Sequence, residues 1–544
     1  MTKSVKSIIF GLMLSALCAA KAQTIKATSC NTSDVQSAIN TATEGQTVAI
    51  PAGTCTWTTG VTISGKGIVV AGAGSGRIIA DSTTTQATIG TGSKTWTITS
   101  ARVDGTFPLG PTAGQSLIVY ELGTIGNYMA GTVTSYSGGT LVMNITSSAG
   151  SCADNSQSNC SRWLITTLPS TTIINNTTAG VFAFTIKEDT AFDTNLSGIQ
   201  LTVGTGTGGG YIAVNTALGG LPVLINNLWL RGADTMGTLI HFNDNRGVVW
   251  NVSVDASPFC GAEEGVQLQA DGITNSWTTA STWGAADTSG TNAVYVETSD
   301  FHALLNTFDN DNNGRLVWRY NIMDNASATT HGADTSFYGE RYFEYYNNVN
   351  TWYDDNTPAT FNLGHGWIFV RGGSFVAFNN TWTPISGYYN GADLNMTVMN
   401  LQRNTGTGTS CWGAGYSTPG QYYHAPRQVG FGRVTGAGTA TYLPDGLNLT
   451  SIDLYTYVGD SEPAYIWNNN PSNTYSISNY GSGQTYSCPA SPTLDSSANY
   501  IVLNRDFYVG TAKPGYTPYT YPHPLTVGSQ ATPAPPVNVQ ATVN

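Results

Sequence analysis

Residues 315–325 read RLVWRYNIMDN and residues 341–350 read RYFEYYNNVN, each a few apolar residues, an Asn and a second short apolar run. The same form recurs at residues 221–232 (LPVLINNLWLRG), 247–257 (GVVWNVSVDAS), 292–301 (NAVYVETSDF) and 374–383 (SFVAFNNTWT). Asn227 and Asn251 are 24 residues apart, and Asn321 and Asn347 are 26 residues apart. A degenerate period of this size, with one to three short strands per unit, predicts a solenoid.

The repeats favour an all-β fold, a right-handed single-stranded parallel β-helix with a short N-terminal capping helix and long loops. One coil cannot bury its apolar face alone, so coils stack and share a core. In-register stacking places like residues above like, and Asn tolerates the left-handed backbone conformation that a tight turn requires. We therefore interpret the recurring Asn residues as a structural ladder between coils.

Residues 34–57 read DVQSAINTATEGQTVAIPAGTCTW. Val35, Ile39 and Ala42 recur at helical spacing, and Thr32 or Ser33 is a possible N-cap, which predicts a short helix followed by β-strands. Such a helix would cover the first coil, whose exposed edge would otherwise pair with other chains.

This opening and the Asn-bearing repeats resemble the pectate-lyase-like superfamily of right-handed parallel β-helix proteins. The resemblance covers most of the chain and implies the fold, but the superfamily includes polysaccharide lyases, hydrolases, epimerases, adhesins and phage proteins. Gly364-His365-Gly366 after Asp354-Asp355 loosely matches blocks of the polygalacturonase-type hydrolases.

Residues 1–22 have the parts of a secretory signal peptide: a charged start, an apolar run and the small-x-small site Ala20-Lys21-Ala22. We predict an exported protein, extracellular, periplasmic or at the cell surface, with no membrane span. The β-helix domain is assigned to residues 23–527 and a Pro/Ala-rich tail or linker to residues 528–544. The Pro- and Tyr-rich residues 505–525 predict an extended segment across the last coils.

Charge and cysteine content narrow the class of protein. The net charge of −12 argues against nucleic acid as a partner, because nucleic-acid-binding proteins need a dense basic surface.

Disulfides are allowed in an exported chain. The pairs that we consider are Cys30–Cys55, Cys152–Cys160 and Cys411–Cys488, with Cys260 left over. No CxxC pair occurs, so we do not expect a structural zinc site.

Charged residues concentrate in the middle repeats of a chain with only 10% charged residues. Aligning the repeats on Ser299, Asn321 and Asn347 puts Glu297, Arg319 and Tyr345 in one column, about 4.8 Å apart per coil. A purely structural interpretation of this column is an ion pair between a Glu and an Arg of adjacent coils. The functional interpretation is a polysaccharide-binding site on the outer face of the β-helix. We interpret His302 and His241 as core or turn residues.

The functional hypothesis is a lyase that cleaves a uronate-containing polysaccharide by β-elimination, with His331 as the base. The residue roles that it assigns are as follows. The catalytic candidates are His331, Arg341, Arg319 and Glu344; the substrate-binding candidates are Arg315, Glu297, Trp352, Tyr353, His365 and Trp367; and Asp309, Asp311 and Asp334 are candidate ligands of Ca²⁺.

Two other functions stay open. A hydrolase of the same fold would use paired carboxylates, with Asp354, Asp355 and Glu344 as candidates. A non-catalytic adhesin or self-assembling glycan-binding solenoid would also suit the low charge and the Thr-, Ser- and Asn-rich repeats.

Overall fold

The fold is taken from a computed structural model of the 544-residue chain. The residues that the structure describes are 23–101, 111–121, 126–152, 160, 162–203, 210–215, 220–232, 236–243, 246–256, 262–269, 290, 292–304, 306–311, 314–324, 326–330, 341–351, 368–370, 372–383, 399–401, 429–430, 461–470, 475–477 and 501–527.

Three parallel sheets build the body of the protein. Sheet A comprises β1 (Thr24–Lys26), β2 (Thr47–Ala49), β5 (Val69–Ala71), β14 (Thr194–Ser197), β17 (Val223–Asn226), β20 (Gly247–Trp250), β23 (Val294–Glu297), β26 (Arg315–Arg319), β29 (Tyr342–Tyr346), β32 (Ser374–Phe378), β35 (Ala464–Trp467) and β37 (Phe507–Val509). Sheet B comprises β3 (Gly53–Trp57), β12 (Thr171–Asn175), β15 (Gln200–Val203), β18 (Trp229–Arg231), β21 (Ser253–Asp255), β24 (Asp300–His302), β27 (Ile322–Asp324), β30 (Val349–Thr351) and β33 (Thr381–Thr383). Sheet C comprises β4 (Val61–Ile63), β13 (Phe184–Lys187), β16 (Ile212–Asn215), β19 (Met236–Phe242), β22 (Ala262–Gln269), β25 (Asn306–Asp311), β28 (Ser327–Thr330), β31 (Ile368–Val370), β34 (Met399–Leu401) and β36 (Tyr475–Ile477).

From β12 to β35 the chain visits the sheets in the fixed order B, C, A, so each coil in this range contributes one strand to each sheet. Neighbouring strands pair in register, as in Val249↔Val296 and Val296↔Trp318. The inward side chains form one continuous core from Ala27 to Phe507. The parallel β-helix predicted from the repeats is therefore confirmed, while its handedness stays a prediction.

The short turn from sheet A to sheet B explains the recurring Asn residues. Its first residue has a positive φ, 53° at Asn251, 57° at Tyr320 and 57° at Asn347. In the later coils its second residue is a buried Asn: Asn321 N–H donates to Asn348 Oδ1 (3.0 Å), and Asn348 N–H donates to Asn380 Oδ1 (3.0 Å). The predicted Asn ladder is present, and it satisfies backbone groups that burial would otherwise leave without water.

The same turn corrects the repeat alignment by one residue. Arg319 pairs with Tyr346, so Tyr346 and not Tyr345 continues the column of Glu297 and Arg319. Asn348 is the true equivalent of Asn321, because Asn347 occupies the positive-φ position. In an Asn-Asn pair the letters alone do not distinguish these two positions.

The predicted capping helix is present as α1 (Thr32–Thr41), and its N-cap is Asn31 in place of the predicted Thr32 or Ser33. Val35 and Ile39 are buried against the first coil. Lys66 Nζ donates to the carbonyl oxygens of Ile39 (2.9 Å), Asn40 (3.2 Å) and Ala42 (2.6 Å), so a cation stabilises the negative end of the helix dipole.

Both disulfides predicted within the described residues are present, Cys30–Cys55 and Cys152–Cys160. The proposed Cys411–Cys488 pair and Cys260 lie outside the described residues. Among the helices of the described residues, none has both the length and the apolar character that crossing a membrane requires.

An antiparallel barrel, which the sequence analysis did not predict, is inserted between β5 and β12. Its strands are β6 (Ile78–Ser82), β7 (Gly92–Ala101), β8 (Ser116–Glu121), β9 (Tyr128–Ser137), β10 (Thr140–Ala149) and β11 (Trp163–Thr167), closed in the order β10-β7-β6-β11-β8-β9. It has its own core, in which Trp96 and Trp163 meet edge to face. The barrel rests on sheet B, where Tyr120 contacts Trp229 (5.5 Å between ring centroids).

The predicted C-terminal segment, here called the strap (residues 510–527, ending in the 3-10 helix Pro524–Thr526), runs along the outer face of sheet A. It reaches back to the middle coils, where Tyr521 Oη lies 2.8 Å from Thr298 Oγ1. Tyr516 packs edge to face on Phe378, which stacks on Tyr346 (4.6 Å) and Trp467 (4.4 Å). The strap thus covers an aromatic column that would otherwise be an exposed apolar wall.

Candidate functional site

Glu297 and Arg319 are vertical neighbours on sheet A, as the repeats predict. Arg319 Nε donates to Glu297 Oε1 (2.8 Å), and both residues have 0% exposure. The strap completes the pair: Arg319 donates to the carbonyl oxygens of Tyr519 and Thr520 (2.8 Å each), and His523 N–H donates to Glu297 Oε2 (3.0 Å). The strap, and not solvent, therefore lies in front of this pair.

For both Glu297 and Arg319, burial and the attraction between the two side chains shift the pKa in opposite directions. Burial raises the pKa of Glu297, and Arg319 and the His523 N–H counter part of that rise. Burial alone would lower the pKa of Arg319, but Glu297 and Tyr346 outweigh it and the pKa lies above its usual value. The guanidinium stays charged and neutralises the only carboxylate that it contacts among the described residues.

Arg341 and Glu344 lie on the same wall, one coil further on. Arg341 has 0% exposure, and its Nη2 donates to Glu462 Oε2 (2.7 Å). Glu344 has 1% exposure and accepts from Tyr516 Oη (2.8 Å) and Tyr342 Oη (3.2 Å). Burial raises the pKa of Glu344 to about 7, although both hydroxyls and Arg319 oppose the rise.

The remaining predicted site residues are distributed as follows. Arg315 begins β26 and is half-buried. Asp309 is buried on β25 of sheet C, a different wall from Glu297 and Arg319, and Asp311 ends the same strand. Eight candidates lie outside the described residues: His331, Asp334, Trp352, Tyr353, Asp354, Asp355, His365 and Trp367. Their roles stay predictions.

A cavity of about 350 Å³ opens beside the Glu297–Arg319 pair. One side of this cavity, here called the strap cavity, is formed by Tyr295 of sheet A and by Pro222 and Arg246, which directly precede β17 and β20. The other side is formed by Tyr519 and His523 of the strap. This volume is at the small end of ligand pockets and suits a single sugar unit. The cavity exists only because the strap lies across sheet A.

Arg246 is the cationic group of this cavity. Its Nη1 donates to Gly220 O (2.6 Å), and its Nε and Nη2 donate to Asn292 Oδ1 (3.2 and 3.1 Å). A guanidinium has five N–H groups, so three bonds fix its plane and leave donor capacity for a ligand. No carboxylate of the described residues lines the cavity with it.

His523 supplies a second donor. Burial, with a smaller contribution from Arg319, lowers its pKa to about 4, so the imidazole is neutral at pH 7. Nδ1 accepts the N–H of Leu525 (3.2 Å), and therefore the neutral ring carries its proton on Nε2. The ring contacts Tyr295 (4.6 Å between centroids), which holds the imidazole against an aromatic wall.

Neither Arg246 nor His523 was predicted from the sequence. Neither residue stands in a recognisable motif, and they are 277 positions apart in the chain. The one usable signal is the density of Tyr and Pro in residues 507–524, which marks the strap but not the wall that it covers.

Comparisons with known proteins identify no family. No protein-family profile matches the chain, and no curated protein matches it. An alginate lyase from Paenibacillus sp. str. FPU-7 is similar in structure at 13% identity, with 66% of this chain and 95% of that one covered and a TM-score of 0.29.

Two phage tailspike proteins are also similar in structure, at comparably low sequence identity and TM-score. The tailspike of Pseudomonas phage phi297 shares 12% identity over 71% of this chain and 66% of its own, with a TM-score of 0.19. A tailspike of Acinetobacter baumannii bacteriophage AP22, solved with a capsular saccharide, shares 14% identity over 73% and 57%, with a TM-score of 0.20.

Proposed function

We propose that this protein is a carbohydrate-active β-helix protein that acts on a uronate-containing polysaccharide and holds one acidic sugar unit in the strap cavity. The observation that carries the proposal is that Arg246 and a neutral His523, whose proton is on Nε2, line the same cavity with Tyr295 and Tyr519. Two hydrogen-bond donors, one of them cationic, fit a carboxylate. Tyrosine rings offer apolar area to a sugar face and a hydroxyl to its edge.

The charge of the whole chain makes this cavity selective. With a net charge of −12, the protein repels polyanions over most of its surface. An anionic polymer must therefore be held at a local cationic position, and Arg246 provides one. Neutral glycans gain less from the guanidinium, and the net charge of −12 disfavours nucleic acid.

Cleavage by β-elimination is the finer part of the proposal. The reaction needs the uronate carboxylate neutralised and the C5 proton removed by a base. Arg246 suits the first task. His523, with its proton on Nε2, donates and so does not serve as the base.

The base stays the predicted His331, which lies outside the described residues. Arg319, Arg341 and Glu344, all at most 1% exposed, would act as positioning residues behind the site. Calcium dependence through Asp309, Asp311 and Asp334 stays a prediction.

The experiment incubates the full chain with polygalacturonate, alginate and a neutral glucan and follows three readouts. Ultraviolet absorbance of an unsaturated product indicates a lyase, new reducing ends without that absorbance indicate the hydrolase, and binding without either indicates the adhesin. Repeating the assays with a calcium chelator tests the metal.

Arg246→Met tests the cavity, with Arg505→Met as the matched control, because Arg505 is 40% exposed on its side chain and bonds to Asp506. We expect Arg246→Met to weaken binding of the acidic polymer about 10-fold or more, the effect of losing a charged hydrogen bond, and the control to leave it unchanged. Equal affinity for acidic and neutral polymers would refute the proposal.

A further inference from the structure

The positive-φ position that follows the sheet A strands from β17 to β35 is usually occupied by Asn. The coils with Asn there are those of Asn227, Asn251, Asn347, Asn379 and Asn468. The two exceptions are Thr298 (φ 53°) and Tyr320 (φ 57°), which belong to adjacent coils. A left-handed backbone is costly for a β-branched or bulky residue, so we expect a contact outside the turn to compensate for each of them.

Tyr521 of the strap contacts both exceptions. Its Oη lies 2.8 Å from Thr298 Oγ1, and its ring stacks on the Tyr320 ring with centroids 3.8 Å apart and planes inclined by 29°. The Phe378–Trp467 stack on the same wall is wider, at 4.4 Å. Aromatic pairs usually have centroids about 4.5–7 Å apart, so the faces of the two tyrosine rings are in close van der Waals contact.

Both rings of this pair are held in place and remain accessible. Tyr346 meets the Tyr320 ring edge to face (6.3 Å), and the Arg319 guanidinium lies 5.3 Å from the centroid of the Tyr521 ring. Tyr320 and Tyr521 are nevertheless only half-buried, so a small oxidant in solution has access to them.

Two other tyrosine pairs provide a comparison. The rings of Tyr295 and Tyr519 meet edge to face at 6.0 Å, and Tyr295 has 3% exposure. The rings of Tyr465 and Tyr508 are parallel, but their centroids are 5.1 Å apart and both residues belong to strands of sheet A. Of the three pairs, Tyr320–Tyr521 combines the closest ring faces with access to solvent and with a position that links the strap to a coil.

We propose that Tyr320 and Tyr521 form an oxidative cross-linking site, at which a bond between their rings joins the strap covalently to the β-helix as dityrosine. The oxidant is hydrogen peroxide, used by a peroxidase. Contact between the two rings favours coupling, because the radical formed on a phenol is delocalised onto the ring carbons ortho to its oxygen.

The coupling balances in atoms and electrons. Each phenol loses one electron and its hydroxyl proton and becomes a phenoxyl radical. The two radicals form one carbon–carbon bond between ortho positions, and the hydrogen on each of these carbons moves to the phenol oxygen, which restores both aromatic rings. One hydrogen peroxide molecule accepts the two electrons and two protons, its O–O bond breaks, and two water molecules form.

The bond would make a docked strap permanent. Tyr519 and His523, which form one side of the strap cavity, are each two positions from Tyr521 in the chain. A cross-link at Tyr521 therefore fixes this side of the cavity. It also closes a long loop of the chain, from residue 320 to residue 521, and a cross-link of that kind stabilises a protein by restricting the unfolded chain.

The experiment treats the full native chain with a peroxidase and hydrogen peroxide, with the peroxidase alone as the blank. Dityrosine is detected by its fluorescence, and tandem mass spectrometry of a tryptic digest identifies the joined residues. We expect a cross-link between Tyr320 and Tyr521, with a mass lower by two hydrogen atoms, and a rise in the midpoint of urea unfolding.

Two variants keep a ring for stacking but lack the phenol: Tyr320→Phe and Tyr521→Phe. Each should abolish the Tyr320–Tyr521 product and the rise in the urea midpoint. The matched control is Tyr465→Phe, which removes a phenol from the parallel pair within sheet A and should leave the yield of the product unchanged.

Absence of dityrosine in the unmodified chain, under conditions that couple free tyrosine, overturns the proposal. So does a product that joins other residues in place of Tyr320 and Tyr521, and so does a yield that Tyr320→Phe leaves unchanged. The first two outcomes require no variant, so they decide the question even if a variant fails to fold. No saccharide takes part in these measurements, and the cross-linking site and the saccharide proposal therefore stand or fall separately.

Discussion

The two charged columns of this protein, on sheet A beneath the strap and on sheet B beneath the barrel, are built by the same in-register stacking and are covered differently. On sheet A, Glu297 faces Arg319, and strap backbone groups complete their hydrogen bonds. On sheet B, the residues Arg231, Asp255, His302 and Asp324 stack on successive strands, and the guanidinium of Arg231 lies over the Tyr120 ring of the barrel. A covering segment can bury charge either by supplying backbone hydrogen-bonding groups or by packing an aromatic ring against it.

The strap and the barrel, which cover the two columns, also differ in how they are held in place. The strap has no core of its own, and its side chains pack on sheet A through Tyr516, Tyr519 and Leu525. The barrel closes around Trp96 and Trp163 before it contacts the β-helix. Removing charge balance under the strap should therefore loosen the strap itself, whereas the barrel should keep its fold.

The largest effect is expected from Arg319→Met. It leaves Glu297 buried without its cation, which costs about 3–5 kcal/mol. Urea unfolding followed by tyrosine and tryptophan fluorescence measures the loss. The double variant Arg319→Met, Glu297→Gln should recover part of it, and a single-variant loss below ~1 kcal/mol would contradict the assignment of a closed pair.

A pH effect at Glu344 should be next in size. Its folded pKa, about 7, is above the ordinary value of 4.5. The folded state therefore holds a proton that the unfolded state releases, and stability falls as pH rises from about 5 to 8. The loss is at most about 2–3 kcal/mol, from 1.36 kcal/mol per pKa unit.

The predicted loss of stability is tested by comparing the midpoints of urea unfolding at pH 5 and pH 8 for the unmodified protein and for Glu344→Gln. Glu344→Gln keeps the shape and bonds to Tyr342 and Tyr516 but cannot titrate, so its midpoint should change less between the two pH values. An unchanged pH difference would assign the effect to other groups.

The smallest effect is expected from Arg231→Met on sheet B. The Arg231–Asp255 contact is longer, 3.5 Å, and the cation also gains from the Tyr120 ring. We expect a loss of about 2 kcal/mol, with the barrel remaining folded. Near-ultraviolet circular dichroism of Trp96 and Trp163 checks the barrel, and a loss larger than that of Arg319→Met would reverse the ranking of the two columns.

The sequence predicts the coil stack well, because its signals are local and repeated. Asn at the turns, the apolar runs and α1 each reflect backbone geometry within a few residues. The Glu297–Arg319 contact follows from that period alone, and the one-residue error at Tyr345 arises where two Asn residues are adjacent.

The barrel and the cavity were harder to predict. The barrel strands β9 and β10 are ten residues long and alternate buried and exposed positions around Gly138-Gly139, yet they resemble further coils when read by composition. Arg246 and His523 meet only because the strap turns back over the coils, and no local pattern encodes that return.

The return of the strap places residues 510–527 over the middle coils, where Tyr521 meets Thr298. Every strand of sheets A, B and C precedes Tyr519 in the chain, and yet those strands alone lack one wall of the strap cavity. The cavity is therefore formed by the docking of a segment and not by the stacking of the coils, so strap docking and coil stability can be changed independently by mutation.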